Sequence, residues 1–158
     1  FTKYELYDLI NRPGPLWLVE ADLSRAVLRK ARLSRAVLCG ANLMGANLEE
    51  ADLSGADLRK ALLTWIFGRR MNLSEADLSN ANLTGADMIR AVLYNTNLTG
   101  AELWGVNLLH ADLSKANLTG TRLDNANLIG TNLSEARFDQ TTKWPEDFDP
   151  KAAGAKLV

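Results

Sequence analysis

Cysteine is nearly absent from this chain. Cys39 stands alone, so neither a disulfide framework nor a cysteine-based zinc site can form within one chain. Histidine is equally scarce, and with His110 as its single example a histidine metal cluster is excluded. Long apolar runs are missing, and nothing approaches the roughly 18 residues of a membrane span. Neither sign of charge dominates, with 18 basic and 19 acidic residues and a net charge of −1. A binder of nucleic acid or of an anionic membrane would show a stronger bias, so neither is expected as a partner. Aromatic residues make up only 7% of the 158 residues, a length that suggests one domain. No signal peptide is visible, and a cytoplasmic location is expected. Export stays open, because the sequence starts at Phe1 rather than Met.

What the chain has in abundance is leucine, alanine and asparagine at regular intervals, which calls for a search for repeats. From residue 23 to residue 138 every fifth residue is a central position, giving 24 repeats. Leucine occupies 21 of these centres, the others being Gly68, Met88 and Phe138. Two residues earlier lies a second site, alanine in 18 of 24 and otherwise Ile66, Met71, Thr96, Val106, Thr121 or Thr131. The remaining positions are mostly Asp, Asn, Ser, Thr, Gly, Arg and Lys. This period matches neither a helix nor a long strand. Two inward residues two apart, followed by polar turn formers, describe a very short strand and then a turn. A chain that turns after every five residues must coil around its own leucines. Each buried leucine then contributes roughly 1.5–3 kcal/mol.

The outward charges test how many sides the coil has. Stacked coils behave as neighbouring strands about 4.8 Å apart and favour opposite charges across the ladder. A 20-residue coil brings Arg29 to Glu49, Lys30 to Glu50, Arg32 to Asp52, Glu102 to Arg122 and Lys115 to Glu135. It also places Asp57 against Asp77 and Arg70 against Arg90, which count against it. The balance favours four sides and about six coils, a rod about 29 Å long.

Tandem A(D/N)LXX units such as ADLSGADLRK, ADLSNANLTGAD and ADLSKANLTG resemble the pentapeptide-repeat proteins over residues 16–138. That resemblance implies an all-β fold, a right-handed quadrilateral parallel β-helix with leucine and alanine inside. The closing segment resembles the ending of cyanobacterial members. The family's functions are mostly unassigned. One branch binds DNA gyrase as a mimic of duplex DNA, and others act in cyanobacterial differentiation.

A solenoid needs its open ends covered. Short helical caps are expected at both. At the start, residues 1–15 form a cap whose helix runs over 2–11, with Thr2 and Glu5 at capping-box spacing. The β-helix follows over 16–140 and a C-terminal cap over 141–158. There Trp144 and Phe148 fold back on the last leucines, and Asp149-Pro150 starts a short helix. Capped ends make a monomer the expected state.

The strongest break in the pattern is Leu62 to Met71. Its register holds, yet Gly68 takes a leucine site and Ile66 an alanine site. Trp65 and Phe67 fall on outward positions, with Leu62, Met44 and Trp104 nearby at 20-residue stacking. Leu62, Trp65, Phe67 and Trp104 are therefore the candidate partner patch. The alternative is a bulge whose rings lie flat on their own coil, or a loop over a thin spot in the core.

Charge is unevenly spread, with net +3 over residues 1–70 and −4 over 71–158. Arg25, Arg29, Lys30, Arg32 and Arg35 crowd the first coils, but Glu49, Glu50 and Asp52 stack above three of them, which reads as a solvated ladder. His110 and Cys39 point outward without activating neighbours. The Asp57–Asp77 stack and the Glu146, Asp147, Asp149 group read as structural. No catalytic constellation and no cofactor site emerge, so the chain is expected to be a non-catalytic scaffold for an unidentified protein partner. The alternative is a gyrase-binding DNA mimic, which the near-neutral charge opposes.

Overall fold

The computed structural model describes residues 14–158. The helix expected over 2–11 lies outside them. From Trp17 onward, residues 20 apart pair as parallel bridges along four faces. Face 1 runs Trp17, Val37, Asp57, Asp77, Asn97, Asn117, Arg137, and face 2 runs Asp22, Asn42, Leu62, Asn82, Glu102, Arg122. Face 3 runs Val27, Asn47, Phe67, Asp87, Asn107, Asn127, and face 4 runs Arg32, Asp52, Asn72, Val92, Asp112, Asn132. The interior is one continuous stack of the central leucines and their preceding alanines, nearly all without solvent contact.

Why this sequence makes this coil follows from where its amides go. In the repeat Ala41–Gly45 all five N–H groups find acceptors. Ala41 closes the preceding turn on Leu38 O at 3.0 Å. Asn42 donates back to Ala21 O at 2.9 Å. Leu43 and Gly45 donate forward to Leu62 O at 2.8 Å and Thr64 O at 2.9 Å. The fifth amide, Met44, is taken by the side chain of Asn42 at 3.1 Å. Asp or Asn before the central leucine is thus an Asx turn repeated along the rod. The same bond forms wherever Asp or Asn holds that position, as at Asp22, Asp52, Asn82 and Asp112. Asparagines also donate to the carboxamide or carboxylate one coil earlier, as Asn72 does to Asp52 and Asn97 to Asp77. Every backbone amide of the consensus repeat is therefore satisfied.

Each corner ends in a left-handed residue. All 24 positions from Glu20 to Glu135 at five-residue spacing have φ between 54° and 68°. A positive φ at the third turn position is the type II requirement, and eight of these residues are glycine. Threonine is tolerated at alanine sites because its hydroxyl finds a carbonyl inside the wall. Thr96 donates to Leu73 O and Thr121 to Leu98 O, both at 2.8 Å.

Two expected charge pairs take other forms: Arg32 and Asp52 share a rung of the ladder without an ion pair, Asp52 accepting instead from the Ser54 amide and Asn72 Nδ2, and Lys115–Glu135 is exchanged for other partners. Arg29–Glu49, Lys30–Glu50 and Glu102–Arg122 pair as the register implies. Lys115 instead reaches Tyr94 Oη at 3.0 Å, and Glu135 pairs with Lys156. The Asp57–Asp77 stack is relieved by Arg59, whose guanidinium grips Asp57 in two bonds and holds its carboxyl below the usual range.

At the C-terminal end one extra residue enters, so Arg122 pairs with Lys143 rather than with residue 142. Asp139 absorbs the insertion. Its carboxylate accepts from the amides of Gly120, Thr141 and Thr142, replacing a ladder carbonyl. Trp144 packs edge-on against Phe138 and stacks with Phe148 over the core. The expected C-terminal helix does not form. Asp149 does accept from the amides of Lys151 and Ala152 as a cap would. After that single turn, however, Gly154 turns left-handed at φ 93°. The chain then joins the ladder as strand β2 (Lys156–Leu157), parallel to β1 (Arg137–Phe138). Among the described residues there is no helix.

Candidate functional site

Residues 62–71 continue the coil without a bulge. Leu62 pairs with Asn42 and Asn82, and Phe67 with Asn47 and Asp87, at the same 20-residue register as elsewhere. The core is not thin there either. A Cβ on Gly68 would lie 2.8 Å from Met71 Sδ and 3.4 Å from Ile66 Cδ1. Two enlarged alanine sites therefore fill the volume of one missing leucine, and Ile66 and Met71 are both buried. Buried volume is conserved by redistribution, which well-packed interiors tolerate best.

What changes is the outer wall. Leu62 and Phe67 replace the Asp or Asn that captures the amide two residues on, so Thr64 and Arg69 lose that acceptor. The turn Leu63–Ile66 is also the one turn, of those ending at residues 21 to 136, without the closing amide-to-carbonyl bond. It holds Trp65 at φ 58°, a left-handed conformation unusual for an aromatic residue.

The Trp65 ring lies on the next coil. A Cβ on Gly85 would sit 2.4 Å from its Cζ3 and 2.5 Å from its Cε3, so only glycine fits beneath it. Trp65 nevertheless remains 60% exposed. Leu62, Met44 and Trp104 are about half exposed, and Phe67 more than half. Leu62 stands on face 2 and Phe67 on face 3, while Met44, Trp65 and Trp104 follow the corner between these faces. The four sequence-selected residues thus border one edge of the rod, with Met44 added to it.

The other candidates stay apart. His110 lies over Gly130 as Trp65 lies over Gly85, with a Cβ there only 2.3 Å from its Nδ1. Cys39 is a half-buried free thiol. Among the described residues, no group of His, Cys, Asp or Glu could hold a metal ion. No helix among them is long and apolar enough to cross a membrane. An open depression of about 390 Å³ near the diagonally opposite corner is lined by Asn95, Thr96, Asn97, Lys115, Asn117, Glu135 and Arg137. Its Lys115 and Glu135 are already engaged by Tyr94 and Lys156.

A four-faced parallel β-helix with a filled interior and an apolar outer edge defines a rigid, repeat-built scaffold. The chain belongs to the pentapeptide-repeat family. The model of pentapeptide repeats matches in 8 copies over residues 18–64, 72–108 and 107–142. The internal stretch it leaves unmatched, 65–71, lies within the irregular segment. Among solved structures the chain is similar to alr5209, a pentapeptide-repeat protein from Nostoc Pcc 7120. The identity is 36% over 68% of this chain and 84% of that one, with a TM-score of 0.39. It is also similar to HetL of Nostoc sp. strain PCC 7120, described as involved in heterocyst differentiation regulation. There the identity is 34% over 80% of this chain, with a TM-score of 0.47, and the match spans 59% of HetL. QnrB1, a plasmid-mediated fluoroquinolone resistance protein, matches at 17% identity over 91% of this chain and 90% of its own, with a TM-score of 0.56. At that identity the likeness is one of fold. No curated protein sequence matches significantly.

Proposed function

We propose that this protein is a non-catalytic scaffold that docks another protein along the edge formed by Leu62, Trp65, Phe67 and Trp104. The observation that carries the reading is the Leu63–Ile66 turn. There the chain forgoes an Asx acceptor and a turn bond, and it holds a tryptophan left-handed while leaving it largely in solvent. Local rules broken without a folding gain mark functional positions. Tryptophan is also among the residue types enriched where binding energy concentrates. The test is Trp65→Ser with Phe67→Ser in one chain. A well-folded double variant should lose the proteins that the wild type captures from a lysate of its source organism. Unchanged capture overturns the reading.

A second reading, a gyrase-binding DNA mimic, is supported by the end-to-end likeness in fold to QnrB1. A DNA mimic needs a strongly acidic surface. This chain has a net charge of −1, and its Arg70 and Arg90, one above the other, have no carboxylate partner among the described residues. Inhibition of gyrase supercoiling by purified protein would favour the mimic. No effect at micromolar concentration would remove it.

A further inference from the structure

The corner between faces 2 and 3 has six levels, and its outward residues form a pattern that is complementary to itself when reversed. Ascending the rod, each level of the corner carries two turn residues: Ser24 and Arg25, Met44 and Gly45, Thr64 and Trp65, Thr84 and Gly85, Trp104 and Gly105, Asp124 and Asn125. Reversed, the first level meets the sixth, Arg25 against Asp124. The second meets the fifth, Met44 against Trp104. The third meets the fourth, Trp65 against Gly85. The Trp65 ring lies over Gly85 and so sits between the third and fourth levels, at the midpoint of the pattern.

We propose that this edge binds a second copy of the same chain, with the two rods side by side and antiparallel about a two-fold axis at Trp65. This rests on the scaffold reading and names its partner. A two-fold contact is isologous, so the same patch must complement itself, and each pairing occurs twice. The two Trp65 rings meet at the axis, the Met44–Trp104 contacts flank them, and the Arg25–Asp124 pairs close both ends. Among the described residues Arg25 makes no ion pair, and Asp124, which Arg122 Nε of its own chain holds at 3.4 Å through Oδ2, keeps Oδ1 for Arg25 of the second copy. Trp144 and Phe148 cover the C-terminal end of the core but leave the long edge available, so the monomer expected from the sequence is replaced by a lateral dimer. The strip is only about 29 Å long and roughly one rod face wide, below the area of a standard stable interface. A dimer in the micromolar range or weaker follows.

Sedimentation equilibrium in low salt tests this with charge reversals. The wild type should approach twice its 17.3 kDa mass as concentration rises. Arg25→Asp alone and Asp124→Arg alone should each stay at monomer mass, because each places like charges at both ends. An equimolar mixture of the two should dimerise again, since both pairs are then restored with reversed sign. The double variant carrying both reversals should do so by itself. A wild type at monomer mass at every concentration overturns the proposal, as does a dimer indifferent to both single reversals or a mixture that stays monomeric. If the dimer fails but Trp65→Ser with Phe67→Ser still abolishes capture of a different protein, the scaffold reading stands without it. If the dimer forms as described and no other protein is captured, the edge serves self-association.

Discussion

Two turns stacked on one another at the same corner differ in almost every support the fold offers. The lower, in the sequence Leu62-Leu63-Thr64-Trp65-Ile66, has no Asx acceptor for the Thr64 amide and no closing bond to Leu63 O. The upper, in Asn82-Leu83-Thr84-Gly85-Ala86, has both. Asn82 Oδ1 takes the Thr84 amide at 3.0 Å, and Ala86 closes on Leu83 O at 3.0 Å. The upper turn is glycine in a left-handed conformation with nothing displayed, and the lower is tryptophan in the same conformation with its ring largely in water. The repeat alone suffices to build the corner, so what the lower turn adds is surface chemistry.

The largest expected effect comes from repairing the inside of the lower coil. Gly68→Leu restores the consensus centre, but Met71 and Ile66 already occupy that space. Overpacking should cost about 2–3 kcal/mol in urea denaturation. Adding Ile66→Ala and Met71→Ala should recover most of it. Next comes the joint between the two turns. Gly85→Ala meets the Trp65 ring and also strains a left-handed residue, a loss of about 2 kcal/mol. Gly105→Ala, at the next level with open space around its Cβ, should lose only about 1 kcal/mol. Trp65→Ser should bring the Gly85→Ala penalty down to that of Gly105→Ala. Leu62→Asn gives the lower turn the acceptor of the upper one. It should raise stability by about 0.5–1 kcal/mol while weakening association.

The smallest effect lies at the far end, where Asp139 holds the inserted residue. Bonds from the Thr141 hydroxyl and the Gly120 amide lower its pKa from the ordinary 3.8 to about 2. A depressed carboxylate stabilises the folded state above its unfolded pKa, and that contribution fades as pH falls. The thermal midpoint should therefore drop between about pH 4 and pH 2. Asp139→Asn should shrink that drop without removing it, since Asp22 and Asp57 are lowered too, by bonds from Ser24 and Arg59.

The four-sided register was legible because it is written in side chains. Outward charges alternate at 20-residue spacing, and the structure pairs Arg29 with Glu49 and Arg122 with Glu102. The departure at 62–71 was legible as a departure, but its internal compensation was not. Ile66, Gly68 and Met71 read singly as three errors, and only their packing against one another shows them as one exchange of volume. The left-handed corners were hidden because Arg, Lys, Glu and Asn fill many of them, and no local signal separates these from ordinary turn residues. The helix expected after Asp149 failed for a local reason. Its capping signal is real, but the ladder edge left by Arg137 and Phe138 offered Lys156 and Leu157 a strand partner. The inserted residue near Asp139 escaped notice because Thr141 and Thr142 fit the pattern equally well.

Amide hydrogen exchange, followed residue by residue in dilute and in concentrated protein, tests the central claim most directly. In dilute protein the amides of Thr64 and Ile66 should exchange faster than those of Thr84 and Ala86 one coil above. As the chains associate, the lower pair should slow towards the upper pair, which itself should barely change. Equal rates for both pairs at every concentration would contradict the account, because the lower turn would then be neither weakened nor engaged.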